Sequence, residues 1–154
     1  MRVTVMDTIS LKLAVLTAIE NVQNGGGPFG AVIVTPTGEV FTSGNTVTQT
    51  NDPTAHAEVN VIRKACQALG VFDLSGSVLY SSCEPCPMCL GAALWARVDK
   101  VYFAANRHDA ASAGFDDANF YEQIEENQVA EQVALDDFNA PFEAWERNVA
   151  RVRY

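Results

Sequence analysis

The sequence predicts an α/β protein: a mixed sheet with helices over both faces. Three observations predict it. "FGAVIVT" and "EVFTSG" flank the turn signal "PTG" and read as a β-hairpin. Two more short strands, "SVLYSS" and "KVYFAA", alternate with helical patterns. One of those helices, "PMCLGAALWAR", is apolar nearly all round and needs cover on more than one side.

Taken in order, residues 7–23 form the first helix, and "NGGG" ends it with a glycine cap. Asp7, Lys12 and Glu20 interrupt its apolar residues, and no small-residue cleavage site follows. It therefore reads as an amphipathic helix and not as a signal peptide. The hairpin comes next. "NDPT" is a turn whose Pro53 takes the first position of a second helix, which runs to about Leu69. Val59, Ile62, Cys66 and Leu69 make one apolar stripe on it, and Ala57, Val61, Ala65 and Ala68 another, which predicts burial on two sides. "SVLYSS" is a short buried strand that leads into a cysteine run. Residues 87–97 are a helix and "KVYFAA" a strand. A less regular region follows, with a helix near 119–126, a weak strand near 129–135 and a last helix from Pro141.

A chain of 154 residues, 48% hydrophobic and 19% charged, fits one soluble domain that needs no disulfide staples. No apolar run approaches the roughly 18–20 residues of a membrane span. This places the protein in the cytoplasm, with no membrane partner. Clustered cysteines there are metal ligands sooner than disulfides. The net charge is −9, and between Arg107 and Arg147 stand eleven acidic residues and no Lys or Arg. Such a surface repels phosphates, so nucleic acid is not expected as a partner.

The chemistry lies in "SCEPCPMC", residues 82–89, and "TAHAEV", residues 54–59. His56 and Glu58 with Cys86 and Cys89 give H-x-E … P-C-x-x-C, the pattern of zinc nucleobase deaminases. Cys86 and Cys89 are i and i+3, on one side of a first helical turn, and Pro87 suits the first helical position. A helix amino terminus favours negative charge, and so favours thiolates. His56 and Glu58 are i and i+2, but at a helix start both can reach a group beyond its end. Two helix starts meeting across the carboxyl ends of parallel strands supply such a place. If Cys83 joined His56, Cys86 and Cys89, the tetrahedron would be full and the site a structural clip. With three ligands one position is left for water, and Glu58 is a carboxylate placed as a proton shuttle must be. The second arrangement is expected, with one Zn2+ per subunit. Cys83 is then a packed residue where strand turns to helix, and Cys66 a core cysteine.

With these motifs the sequence resembles the cytidine-deaminase-like superfamily and, within it, the short zinc-dependent bacterial guanine deaminases. The likeness runs over nearly the whole chain through "GGPFGAVIV", "SGN", "NDPTAHAEV", "SCEPCPMCLGA" and "AGFDD". The first four are similar to tRNA adenosine deaminases and to relatives acting on cytosine as well. "AGFDD" and the terminal Tyr154 tilt the resemblance towards guanine. It implies a three-layer α/β/α sandwich around a five-stranded mixed sheet, in a single deaminase domain over residues 1–154. It also implies a homodimer in which a tail of about residues 128–154 is exchanged and completes the partner's site.

The substrate so implied is a small purine base, deaminated to xanthine and ammonia, with Glu58 as general base and then general acid. The resemblance makes Asp117 an acceptor for the purine's N–H donors and a relay to the leaving amine; Asp116 is a weaker candidate. Asn45 suits the purine's polar edge, the Ala57 amide is a further donor, and Phe29 packs on the ring. Tyr154 closes the pocket. "GGG" at 25–27 lacks the G-K-[ST] of a phosphate loop and reads as a turn. His108 is expected on a loop, and Trp95 and Trp145 in core or interface. The alternatives are another zinc deaminase, acting on tRNA adenosine, guanosine, cytosine or a triazine, and a non-catalytic zinc module.

Overall fold

The computed structural model describes residues 2–115, 117–126, 130, 132–136 and 139–154. Helix α1, Val5–Gln23, starts two residues before the expected boundary because Thr4 caps it: the Asp7 amide donates to Thr4 Oγ1 at 3.1 Å and the Thr4 amide to Asp7 Oδ2 at 2.8 Å. It ends at Asn24 and left-handed Gly25 (φ 87°). The hairpin pairs β1, Gly27–Val34, with β2, Val40–Asn45. A short α2, Val47–Thr50, precedes α3, Ala57–Leu69, whose left-handed end falls on Gly70 (φ 67°). Then come β3, Val78–Cys83; α4, Pro87–Trp95; and β4, Lys100–Ala105. Three short helices follow: α5, Arg107–Ser112; α6, Ala118–Glu125; and α7, Ala140–Arg147.

The strands lie in the order β2-β1-β3-β4, with β1 antiparallel to both neighbours and β3 parallel to β4. Among the described residues the sheet has four strands and not the expected five. Residues 132–135 carry no strand, and 129 and 131 lie outside the described residues. Successive residues of a strand point to opposite faces, and the core divides accordingly. Ala31, Ile33 and Leu79 pack with Ala57, Val61, Ala65 and Ala93 of α3 and α4. Val32 and Tyr80 pack with Ala14 of α1 on the other face. That is the three-layer α/β/α arrangement. At Gly30, α1 lies so close to β1 that a Cβ would strike the backbone of Ala14 and Ala18.

Several local expectations are corrected. Pro53 does not open α3. The Thr54 amide and hydroxyl both donate to Asp52 Oδ1, at 2.8 and 2.7 Å, so "NDPT" closes as a turn and the helix waits until Ala57. Helix α3 is fully buried on one side only, through Ala57, Val61 and Ala65. Ala68 is exposed, and Val59, Ile62, Cys66 and Leu69 are half-buried. His108 sits on a helix, since Asn106 Oδ1 accepts the amides of His108 and Asp109 and starts α5. Trp95 and Trp145 are 64% and 39% exposed, so neither is a core residue of this chain. Among the described residues no helix is long and apolar enough to cross a membrane.

Candidate metal centre and substrate pocket

Strand direction builds the site. β2 and β3 are each antiparallel to β1, so they run the same way, and the helices that follow them begin at the same end of the sheet. His56 is the last extended residue before α3 (φ −68°, ψ 155°), and Cys86 holds the same place before α4 (φ −65°, ψ 168°). Neither side chain caps its own helix, so both are free to converge beyond the helix ends. Pro87 opens α4 as expected, which places Cys89 in its first turn facing Cys86.

His56 Nδ1 lies 3.6 Å from Cys86 Sγ and 3.4 Å from Cys89 Sγ, and the three donor atoms are all within 4.8 Å of one another. A tetrahedral ion with Zn–N near 2.1 Å and Zn–S near 2.3 Å needs an N···S edge of about 3.6 Å. The donors therefore fit zinc. Among the described residues no other His, Cys, Asp or Glu joins the cluster. Cys83 does not: its thiol is turned to the Asn106 carbonyl at 3.8 Å, and burial pushes its pKa up to about 11. Cys66 is a half-buried free thiol on α3. Three ligands, not four, answers whether the cysteine run is a closed clip.

The ligand set is electrostatically poised for a dication. The hydrogen bond from Cys89, helped by His56, pushes the Cys86 thiol down to about 4, while Cys89, bonded to Cys86 and buried, is held protonated. The bond with Cys86 in turn raises the His56 pKa. A cation takes up such a site by displacing the proton from the sulfur pair.

Glu58, second residue of α3, is buried beside these ligands. Ser81 Oγ on β3 donates to its Oε1 at 2.7 Å, and the Cys89 thiol to its Oε2 at 3.3 Å. Burial raises the Glu58 pKa, and the Ser81 bond works against the rise. Ser81 thus fixes one oxygen of the carboxyl, and the other faces the Cys89 sulfur.

A cavity of about 480 Å³ opens in front of the cluster, a size suited to a small organic molecule. His56, Glu58, Asn45, Phe29 and Asp117 all line it. Asn45 is buried at the end of β2, and its Oδ1 accepts the Val47 amide at 3.1 Å. Phe29 stands edge-on to Phe115, ring centroids 4.8 Å apart. Asp117 precedes α6 without capping it, and its Oδ1 is buried with no hydrogen-bond partner. Burial, then the nearby Cys86 charge, raises its pKa. Ala57 is buried as the first residue of α3, where an amide has no partner inside the helix.

Tyr154 is not brought to its own chain's cavity. It is 74% exposed, its ring 5.9 Å from that of Trp95. Asp116 lies outside the described residues. The structure adds lining residues that sequence reasoning passed over: Phe115, inside the quoted "AGFDD"; Phe120; Glu84; and Gly25–Gly27, more than a turn. It also adds Asn21 of α1, whose amide donates to the Gly27 and Asn45 carbonyls at 2.7 and 2.8 Å and ties the rim together.

A three-ligand zinc site with a buried carboxylate beside it, set at the end of a mixed sheet, defines a zinc-dependent hydrolase of the deaminase class. The chain belongs to the cytidine and deoxycytidylate deaminase family, whose zinc-binding region matches residues 6–105. It is 53% identical over 146 residues to guanine deaminase of Bacillus subtilis (strain 168), covering 91% of this chain and 93% of that protein. The crystal structure of guanine deaminase from Bacillus subtilis superposes with a TM-score of 0.90 at 49% identity, over 96% of this chain and 98% of that one. The tRNA-specific adenosine deaminase of the same organism is 42% identical over 100 residues, 64% of this chain and 62% of that protein.

Proposed function

We propose that the protein hydrolyses guanine to xanthine and ammonia, using His56, Cys86 and Cys89 as zinc ligands and Glu58 as the proton carrier. The observation that carries the substrate is Asp117 Oδ1, a buried acceptor without a partner on the wall of the cavity. Guanine offers N–H donors at N1 and at the 2-amino group, and a carboxylate fits that edge. Bound zinc supplies a Lewis acid that lowers the pKa of water towards about 7.

The chain's own residues do the rest. Glu58 takes a proton from the attacking water and passes it to N3 as oxygen bonds to C2 and the C2–N3 double bond opens. The proton left on the new C2 hydroxyl is then relayed by Asp117 to the 2-amino nitrogen, so that the C2–O bond becomes a carbonyl as the amine departs. The C2–N bond then breaks, ammonia leaves and xanthine remains. A residue that must both accept and release a proton works best with its pKa near the ambient pH, and burial moves Glu58 in that direction. Asn45 and the Ala57 amide hold the purine's polar edge, and Phe29 with Phe115 packs against the ring. The test is ammonia release from guanine, guanosine, adenine, cytosine and a tRNA anticodon stem. Guanine is expected to react; release from guanosine or the tRNA stem but not from guanine overturns the assignment.

The working unit is a cytoplasmic homodimer of single domains in which residues from about 128 to 154 cross to the partner and Tyr154 closes its pocket. What supports this is that Tyr154 does not line its own chain's cavity, and that Phe142, Val149 and Val152 of the same tail are exposed. Mixing unfolded Glu58→Gln and Tyr154→Ala chains and refolding them together tests it. Exchange gives hybrid dimers one intact site and restores activity, whereas tails that stay on their own chain leave the mixture no better than its components.

A further inference from the structure

The loop that delivers Cys86 and the helix that delivers Asp117 meet at one cation. Arg107, first residue of α5, engages the Glu84 carboxylate twice, its amide donating to Oε2 at 2.9 Å and its Nε lying 3.6 Å from Oε1. Its guanidinium stacks over the Tyr121 ring, 4.3 Å from the centroid. The Tyr121 hydroxyl donates to the Pro85 carbonyl at 2.9 Å, next to Cys86. Tyr121 therefore sits in a clasp, with Arg107 against its ring and the metal loop at its hydroxyl.

Helix α6 has little else to hold it. Among its residues whose side chains are described, Tyr121 alone is not exposed. Asp117 lies one helical turn before Tyr121, on the same face, so the tyrosine is the group best placed to fix where that carboxylate points. Eight residues are too few to hold a helix by themselves.

We propose that Arg107 and Tyr121 are positioning residues: their clasp on Glu84 and Pro85 aims Asp117 into the cavity and so sets the hold on guanine. This rests on the reading of Asp117 as the acceptor for guanine's N–H edge. Arg suits the place better than Lys, because Lys can supply a charge beside Glu84 but cannot lay a planar guanidinium on the Tyr121 ring at the same time.

The test uses the zinc-loaded enzyme with Tyr121→Phe, Arg107→Ala, Arg107→Lys, Asp117→Ala and the double variant Arg107→Ala/Asp117→Ala. Zinc content, Tm, kcat and KM for guanine are measured on each. Tyr121→Phe, which keeps the ring, guards against a result due to misfolding. The clasp variants are expected to lower kcat/KM for guanine about tenfold, through KM and kcat together because Asp117 both holds the base and relays a proton, with zinc retained and Arg107→Lys recovering only part of the loss. In the double variant Arg107→Ala should cost nothing beyond Asp117→Ala, since both act through one contact. Full additivity, or zinc loss in Tyr121→Phe, overturns the proposal. If Asp117→Ala impairs guanine turnover while the clasp variants match wild type, the clasp alone falls; if Asp117→Ala is itself silent, the reading of Asp117 falls and takes the clasp with it.

Discussion

Residues 5–105 and residues 107–154 are built differently, and the contrast separates a packed wall of the cavity from a lightly held one. The first part holds the sheet, both apolar clusters and every zinc ligand. In the second part Ala110 is the one buried hydrophobic residue among those described. Its helices run six to eight residues, short of the roughly 12–15 at which isolated helices begin to persist. Glu58 and the ligands are locked against a packed core, whereas Asp117 hangs from a single clasp. The metal cluster thus rests on the packed part, while one wall of the cavity, with Phe115, Asp117 and Phe120, belongs to the lightly packed one.

The largest effect expected is at the metal. Cys86→Ala should abolish both zinc binding and ammonia release, while Cys83→Ala should retain a full equivalent of zinc by elemental analysis; metal loss from the latter would make the core site a four-ligand clip. Next, Glu58→Gln should keep zinc and lower kcat by about 10²–10⁴, the usual contribution of a positioned acid–base group. Retained turnover would mean that Glu58 is not the proton carrier. On stability, Leu79→Ala should cost about 2–5 kcal/mol in a urea melt, because Leu79 is fully buried between layers. Asp117→Asn should lower kcat/KM for guanine by roughly 10- to 100-fold, a hydrogen bond to a charged group, with zinc and Tm unchanged. Smallest of all, Ile124→Ala, exposed on α6, should shift stability by under about 0.5 kcal/mol. A loss there as large as at Leu79 would erase the contrast between the parts.

The same divide governs what could be read in the sequence. His56, Glu58, Cys86 and Cys89 were legible because ligand type and helix-start spacing are local properties, and the structure brings them together as expected. The hairpin and α4 were legible from turn residues and Pro87. Helix α5 was missed although "NRHD" carries its signal: Asn106 and Asp109 cap the helix reciprocally. Pro53 misled because a proline after aspartate serves a turn as readily as a helix start. The second apolar stripe of α3 overstated burial, since alanine is common on exposed helical faces. Phe115 and Phe120 could not be assigned to the cavity from periodicity, because long-range folding, not local pattern, brings them there. Arg107 and Tyr121 look like ordinary surface residues in the sequence, and only the tertiary arrangement joins them.

β2 and β3 never pair with each other; β1 lies between them. His56 and Cys86 are therefore neighbours only once all three strands have docked in register. Helix α4 by itself offers two sulfurs one turn apart, a weak chelate, and the imidazole joins them only through β1. Tight metal capture consequently waits for β1 to seat between its neighbours, and the ion's release under denaturant reports on that strand letting go.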